Sequence, residues 1–145
     1  MELVAEINQS WGWIGLDAVE VVGQNAFGNL LIKDKAGAYW RLCPEELSCE
    51  LVASSNEELA ELLADCEFLL DWDMEELITA ARLKVGLLDH GQVYCFVPPP
   101  VLSGSYDDQN IVTIPLRELV RLSGDIAAQI RDLPDGTIIE LDVID

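Results

Sequence analysis

Positive charge is what this chain has least of. Eight Lys and Arg stand against 27 Asp and Glu, and the formal net charge is −19 over 145 residues. Cations this few, and not clustered with aromatics, argue against nucleic-acid binding, and the excess of acid repels an anionic membrane surface. Histidine is nearly absent: His90 stands alone, which leaves a nucleophilic triad short of bases. It lies in Leu87-Leu88-Asp89-His90-Gly91, where a helix should end and a histidine caps last-turn carbonyls. The four cysteines (Cys43, Cys49, Cys66 and Cys95) include no closely spaced pair of the zinc kind. They read as free thiols acting as small buried hydrophobes in a reducing cytosol, with a Cys43–Cys49 cross-strand bridge as the alternative. No Gly-rich phosphate loop occurs, and no apolar run approaches the length of a membrane span. Met1-Glu2-Leu3-Val4-Ala5-Glu6 lacks the basic, apolar character of a secretory leader, so the expected compartment is the cytoplasm.

What is present is acid, and it is concentrated. From Glu45 to Glu76 there are twelve acidic residues and no Lys or Arg: Glu45, Glu46, Glu50, Glu57, Glu58, Glu61, Asp65, Glu67, Asp71, Asp73, Glu75 and Glu76. This segment carries −12 of the −19. Half of all residues are hydrophobic and mean hydropathy is positive, so the acidity does not signal disorder. A chain of this length fits one domain with a substantial core. Two readings of the run stand side by side. Charges on a helix ordinarily form a solvated face. Thirty-two residues without a compensating cation also repel one another, unless a basic partner relieves the strain.

Along the chain, the first ten residues form a short helix with Leu3, Val4 and Ile7 on one side, and Trp11-Gly12-Trp13 breaks it. From Ala18 to Ala53 the pattern is of strands: Val19-Val22, Leu30-Ile32, Ala38-Leu42 and Cys49-Val52, with Asp34-Lys35-Ala36-Gly37 as a hairpin turn. Ser55-Asn56-Glu57-Glu58 has the form of a capping box. Leu59, Leu62, Leu63, Cys66 and Leu70 then recur at helical spacing. Asp71-Trp72-Asp73 separates that helix from a second one bearing Met74, Leu77, Ile78, Ala81, Val85 and Leu88. Val93-Val97 and Ile111-Ile114 are strands. A further helix from Pro115 turns Leu116, Leu119, Val120, Ser123, Ala127 and Ile130 inward. Thr137-Val143 reads as a last strand after Asp135-Gly136. The expected architecture is α+β: a single domain over residues 1–145, a largely antiparallel sheet with about three packed helices.

Chemistry is sparse in this sequence. Asp71 and Asp73 could hold a divalent cation, as could Asp107 and Asp108. Acidic pairs at such spacing arise by chance in so acidic a chain, and Trp72 between the first pair is the kind of residue that docks on a core. The reading is therefore of a protein without catalytic residues or cofactors. A small carboxylate-metal enzyme or metal-binding protein and a non-catalytic adaptor are the alternatives.

Several pieces, in order, resemble the C-terminal domain of the type VI secretion immunity proteins, long treated as a domain of unknown function. They are Asn25-Ala26-Phe27-Gly28-Asn29-Leu30, Trp40 after a Gly-containing turn, Gly86-Leu87-Leu88, Gly91-Gln92-Val93-Tyr94-Cys95-Phe96-Val97-Pro98, Leu102-Ser103-Gly104-Ser105-Tyr106, and a helix ending in Ala128-Gln129. The likeness runs from about Trp11 to Ile130. Two departures stand out: Tyr94-Cys95-Phe96 replaces the family's Tyr-Gly-Phe, and Leu102-Ser103-Gly104 its Leu-Gly-Gly. Many members also carry an N-terminal domain related to glutamate-tRNA accessory folds, for which 145 residues leave no room.

The resemblance implies an intracellular antidote that binds a cognate antibacterial toxin, often a nuclease. It transfers no interface residue, because toxin-contacting positions in such families vary. Combined with the uncompensated run, it points to a basic toxin, with Glu57, Glu58, Glu61, Asp65, Asp71, Asp73, Glu75 and Glu76 as the contact region. Trp72 and Tyr106 are the candidate aromatic anchors.

Overall fold

The computed structural model of the chain describes residues 2–103, 106 and 108–131. Helix α1 (Glu2–Trp11) comes first and ends in a 3₁₀ turn, Gly12–Ile14. Four strands follow: β1 (Ala18–Gln24), β2 (Leu30–Asp34), β3 (Tyr39–Cys43) and β4 (Ser48–Ala53). They pair antiparallel in sequence order as a meander. The β2–β3 hairpin is held by Asp34, whose Oδ1 accepts from Ala36 N and Ala38 N while Oδ2 accepts from Trp40 Nε1. These bonds pull its carboxyl below the usual aspartate range, the Trp40 bond first.

The acidic helices depart from the expected pattern. Instead of one helix from Ser55 to Leu70 there are two, α2 (Asn56–Leu63) and α3 (Cys66–Asp73). The cause is local: Asp65 accepts from Glu67 N and so caps a new helix in the middle of the leucine repeat. Asp71-Trp72-Asp73 is accordingly the last turn of α3 and not a separator. The chain turns at Met74, whose φ is +47°, before α4 (Glu75–Val85). The Ser55 cap forms as expected, with Ser55 Oγ accepting from Glu58 N. The return bond of the box lands one residue early, from Ser54 N to Glu58 Oε2.

Strands β5 (Gln92–Phe96) and β6 (Ile111–Pro115) form a second antiparallel sheet, with a short helix α5 (Pro100–Ser103) in the connection. Helix α6 (Leu116–Ile130) follows. The expected strand Thr137–Val143 lies outside the described residues, as do Gly104, Ser105 and Asp107.

The chain is α+β, as its pattern predicts, with the antiparallel strands divided between two sheets. Among the described residues, the helices α1, α4 and α6 contribute buried side chains to the two cores, and Pro100 of α5 is buried as well. One core packs Ile7 and Trp11 of α1 and Leu116, Leu119, Val120 and Ala127 of α6 on Ala18, Leu30, Ile32 and Leu42 of the meander. A second gathers Phe27, Ala81 of α4, Tyr94, Phe96 and Ile111. Strand β5 serves both, because alternate side chains leave opposite faces: Val93 and Cys95 enter the first core, Tyr94 and Phe96 the second. The β1–β2 connection joins the layers. Gly28 there has φ +74°, and a Cβ on it would meet Leu119 Cδ2 at 2.8 Å, so only glycine lets this loop close on α6.

Candidate functional site

Helices α2 and α3 project the acidic run from the body of the fold, and neither holds a fully buried side chain. Glu57, Glu58, Glu61, Asp65, Glu67, Asp71, Asp73, Glu75 and Glu76 are all exposed. Glutamates and aspartates crowd the first turns of α2, α3 and α4, where the positive end of the helix dipole accepts them. The three arginines of the C-terminal part are engaged away from this face. Arg121 lies 3.4 Å and Arg117 3.8 Å from the buried Glu6, and Arg131 stands over Trp13.

Where α3 meets the sheet, a cleft of about 400 Å³ opens. Its walls bring together Glu45, Glu46, Asp71, Asp73, Glu75 and Glu76, with Leu70, Met74 and Leu77 as apolar surface and Tyr106 at one side. Arg41 is the only cation among its described lining residues. Three of the twelve acids of the run, Glu45, Glu46 and Glu50, come from the strand region, and Glu45, though it lines the cleft, is buried: it is 6% exposed. Asn29 Nδ2 donates to both of its oxygens, at 2.7 and 2.9 Å. One amide does not replace the water a carboxylate loses, so burial pushes the Glu45 carboxyl up to about 7.

Asn29 Oδ1 is equally committed. It accepts from Arg41 Nη2 at 3.0 Å, from Arg41 Nε at 3.3 Å, and from Cys43 Sγ at 3.1 Å. Arg41 then reaches outward to Asp71 Oδ2 at 2.6 Å. Its guanidinium lies 5.4 Å from the Phe68 ring centre and 5.3 Å from that of Trp72, two rings that stack on each other at 5.9 Å. Asn25 holds the same helix end, donating from Nδ2 to Trp72 O at 2.9 Å, while its Oδ1 accepts from Phe27 N and Asn29 N.

The candidate aromatics therefore sit differently. Trp72 is half-buried under Arg41 and Phe68, whereas Tyr106 is 47% exposed with its ring edge-on to Phe96. Burial, then the charges of Glu45 and Glu46, push the Tyr106 phenol up to about 12. Among the described residues no group of three or more His, Cys, Asp and Glu is placed to hold a metal ion, and Asp107 lies outside them. No described helix is long and apolar enough to cross a membrane.

Sequence reasoning brought the exposed acids to one region but missed the residues that seat them: Arg41, Asn25, Asn29 and Phe68. Two signals were available. Arg41 is the last cation before the cation-free run, and Asn25 and Asn29 bracket the Ala26-Phe27-Gly28 turn.

Residues 53–127, just over half of the chain, match the family model described as T6SS immunity protein Tdi1, C-terminal. The matched span holds α2 through most of α6. It leaves out Asn25-Leu30 and Trp40, although these form part of the resemblance read from the sequence. No curated protein matches the chain.

Proposed function

The chain belongs to the T6SS immunity protein Tdi1 C-terminal family, and from that premise we propose that it neutralises a cognate basic nuclease toxin by covering it with the acidic surface of α2, α3 and α4. Membership makes an immunity role in type VI secretion and a cognate toxin partner the frame; nuclease activity in the toxin and the acidic interface are our reading. One observation carries it. Nine acids of the run stay exposed on ordered helices, and only Asp71 among them has a cation partner among the described ion pairs.

The mechanism is steric occlusion with electrostatic steering. A nuclease must be basic where it grips a phosphate backbone, and an acidic face is complementary to that grip. Long-range attraction speeds encounter, while residence depends on a few desolvated anchors. Glu57, Glu58, Glu61, Asp65, Asp71, Asp73, Glu75 and Glu76 supply the field. The exposed ring of Tyr106 and the remaining open face of Trp72 supply apolar contact. The cleft between Glu45 and Glu76 is the concave part of this surface, where a lysine or arginine of the toxin fits. Inhibition takes place in the cytoplasm of the producing cell, and residues 1–145 act as one immunity-type domain without catalytic chemistry.

The test is kinetic. With Glu57, Glu58, Glu61 and Asp65 all changed to Lys, association with the toxin encoded beside this reading frame slows more than tenfold at low salt, and the deficit shrinks as salt rises. Association rates equal to wild type, or undiminished protection of cells from that toxin, would remove the acidic face from the mechanism.

A further inference from the structure

Helices α2 and α3 present a puzzle of attachment. No residue between Ser54 and Asp73 belongs to either hydrophobic core. Beside the half-buried Leu59, Leu62 and Leu69, the pair is linked to the sheet and its loops by polar and aromatic contacts. Tyr39 Oη donates to Asn56 Oδ1. Asn25 Nδ2 holds Trp72 O. The largest link is Arg41, whose side chain is only 12% exposed.

Arg41 stands in the middle of β3, between Leu31 of β2 and Glu50 of β4, so its backbone is fixed by pairing on both sides. Its three partners on α3 are Phe68, Asp71 and Trp72, at positions i, i+3 and i+4, which lie on one helical face. From below, Asn29 Oδ1 fixes the other edge of the guanidinium. A planar cation is thus engaged on its face by two rings and on two of its edges by acceptors. That is a demand arginine meets and lysine does not, because an ammonium group has neither plane nor fork.

We propose that Arg41 is the positioning residue of the immunity surface: it seats α3, and α2 with it, so that the acids meet a toxin in one preset arrangement. The inference rests on the functional reading above and specifies how that surface is held. Pre-ordering matters because a surface that must be ordered on binding loses affinity to the entropy of ordering. With Glu75 and Glu76 of α4 untouched by any change at Arg41 and the acids of α2 and α3 only reoriented, steering survives its loss, whereas tight seating does not.

The test has two arms. Amide hydrogen exchange on the free, full-length chain compares wild type with Arg41→Met and Arg41→Lys. In both variants residues 56–73 exchange at least tenfold faster, while β2, β5 and α6 keep wild-type protection. Wild-type exchange in Arg41→Met overturns the proposal. So does restoration by Arg41→Lys, since charge alone would then suffice, and so does deprotection spreading through both sheets, which would make Arg41 a general structural residue. The second arm measures binding to the catalytically inactivated product of the neighbouring reading frame. Arg41→Met dissociates at least tenfold faster than wild type, with association within about threefold, the reverse of the four-acid variant. Wild-type dissociation in Arg41→Met overturns the positioning role alone. A wild-type chain that binds no such toxin overturns the functional reading and this inference with it.

Discussion

Glu45 is the residue whose environment contradicts its composition most sharply. It is one of twelve acids in a run, yet it is buried on a single asparagine, and its carboxyl titrates at about 7 where an ordinary glutamate titrates at 4.5. The folded state therefore binds the proton more tightly than the unfolded chain does. Stability from this group is complete below pH 4.5 and is lost as pH rises towards about 7. At about 1.4 kcal/mol per pH unit the window is worth on the order of 3 kcal/mol. Glu45→Gln keeps an acceptor for Asn29 without the charge. Its melting temperature should match wild type near pH 4.5 and exceed it increasingly up to pH 8; a constant difference across that range would show that Glu45 is not the titrating group. The cysteines differ at the same scale. Burial pushes the thiols of Cys43 and Cys49 up to about 12 and that of Cys95 up to about 11, while Cys66 opens α3 in solvent. Iodoacetamide at pH 8 should add one group to the native protein, at Cys66, and four after unfolding. Rapid native labelling at Cys43 or Cys95 would contradict the burial described.

Elements were legible where period and caps agree. The hairpin at Asp34-Gly37, the Ser55 cap and the inward face of α6 from Leu116 to Ala127 all follow from local chemistry that needs no distant partner. The α2–α3 boundary was not legible, because Leu62, Leu63, Cys66 and Leu70 keep helical spacing across it. Asp65 reads equally well as one more exposed acid or as a cap until the backbone shows which. Leu70 makes the point from the other side: it fits the stripe, yet it is 76% exposed, since α3 turns towards the sheet through Phe68 and Trp72 instead. Contact between elements is more demanding still. On α6, Gly124 lies against α1 so closely that a Cβ would sit 2.4 Å from Ser10 O, a backbone atom that cannot swing aside. Gly124→Ala should cost roughly 1–3 kcal/mol or more in thermal or denaturant unfolding. Gly12→Ala, with nothing within 4 Å of the new methyl, should cost far less. Equal losses in the two would show that helix packing is not the reason for Gly124.

At the scale of the whole molecule, a net charge of −19 opposes folding through self-repulsion, most of all between α2, α3 and the start of α4. Going from about 0.01 M to about 1 M salt shortens the screening length from about 30 Å to about 3 Å. Relief of roughly 1–2 kcal/mol should then raise the melting temperature by roughly 3–8 °C. A melting temperature that falls or stays level with added sodium chloride would mean that the acids are already balanced in the free protein. A basic partner supplies the same relief by binding, which ties the instability of the free surface to the function proposed for it.

The α+β class, the four-strand meander, the Ser55 helix cap and the existence of an uncompensated acidic face were determined by the sequence alone. Each depends on alternation, spacing or charge within a short stretch of chain. Which acids face solvent was decided only by the tertiary structure. Glu45 and Glu76 belong to one run of like charge, yet one is buried on Asn29 and the other stands at a cleft rim. The difference arises because strand pairing brings Asn29, Arg41 and Glu45 together across the sheet, and α3 then closes over Arg41, a meeting of residues up to 43 positions apart that no local pattern encodes.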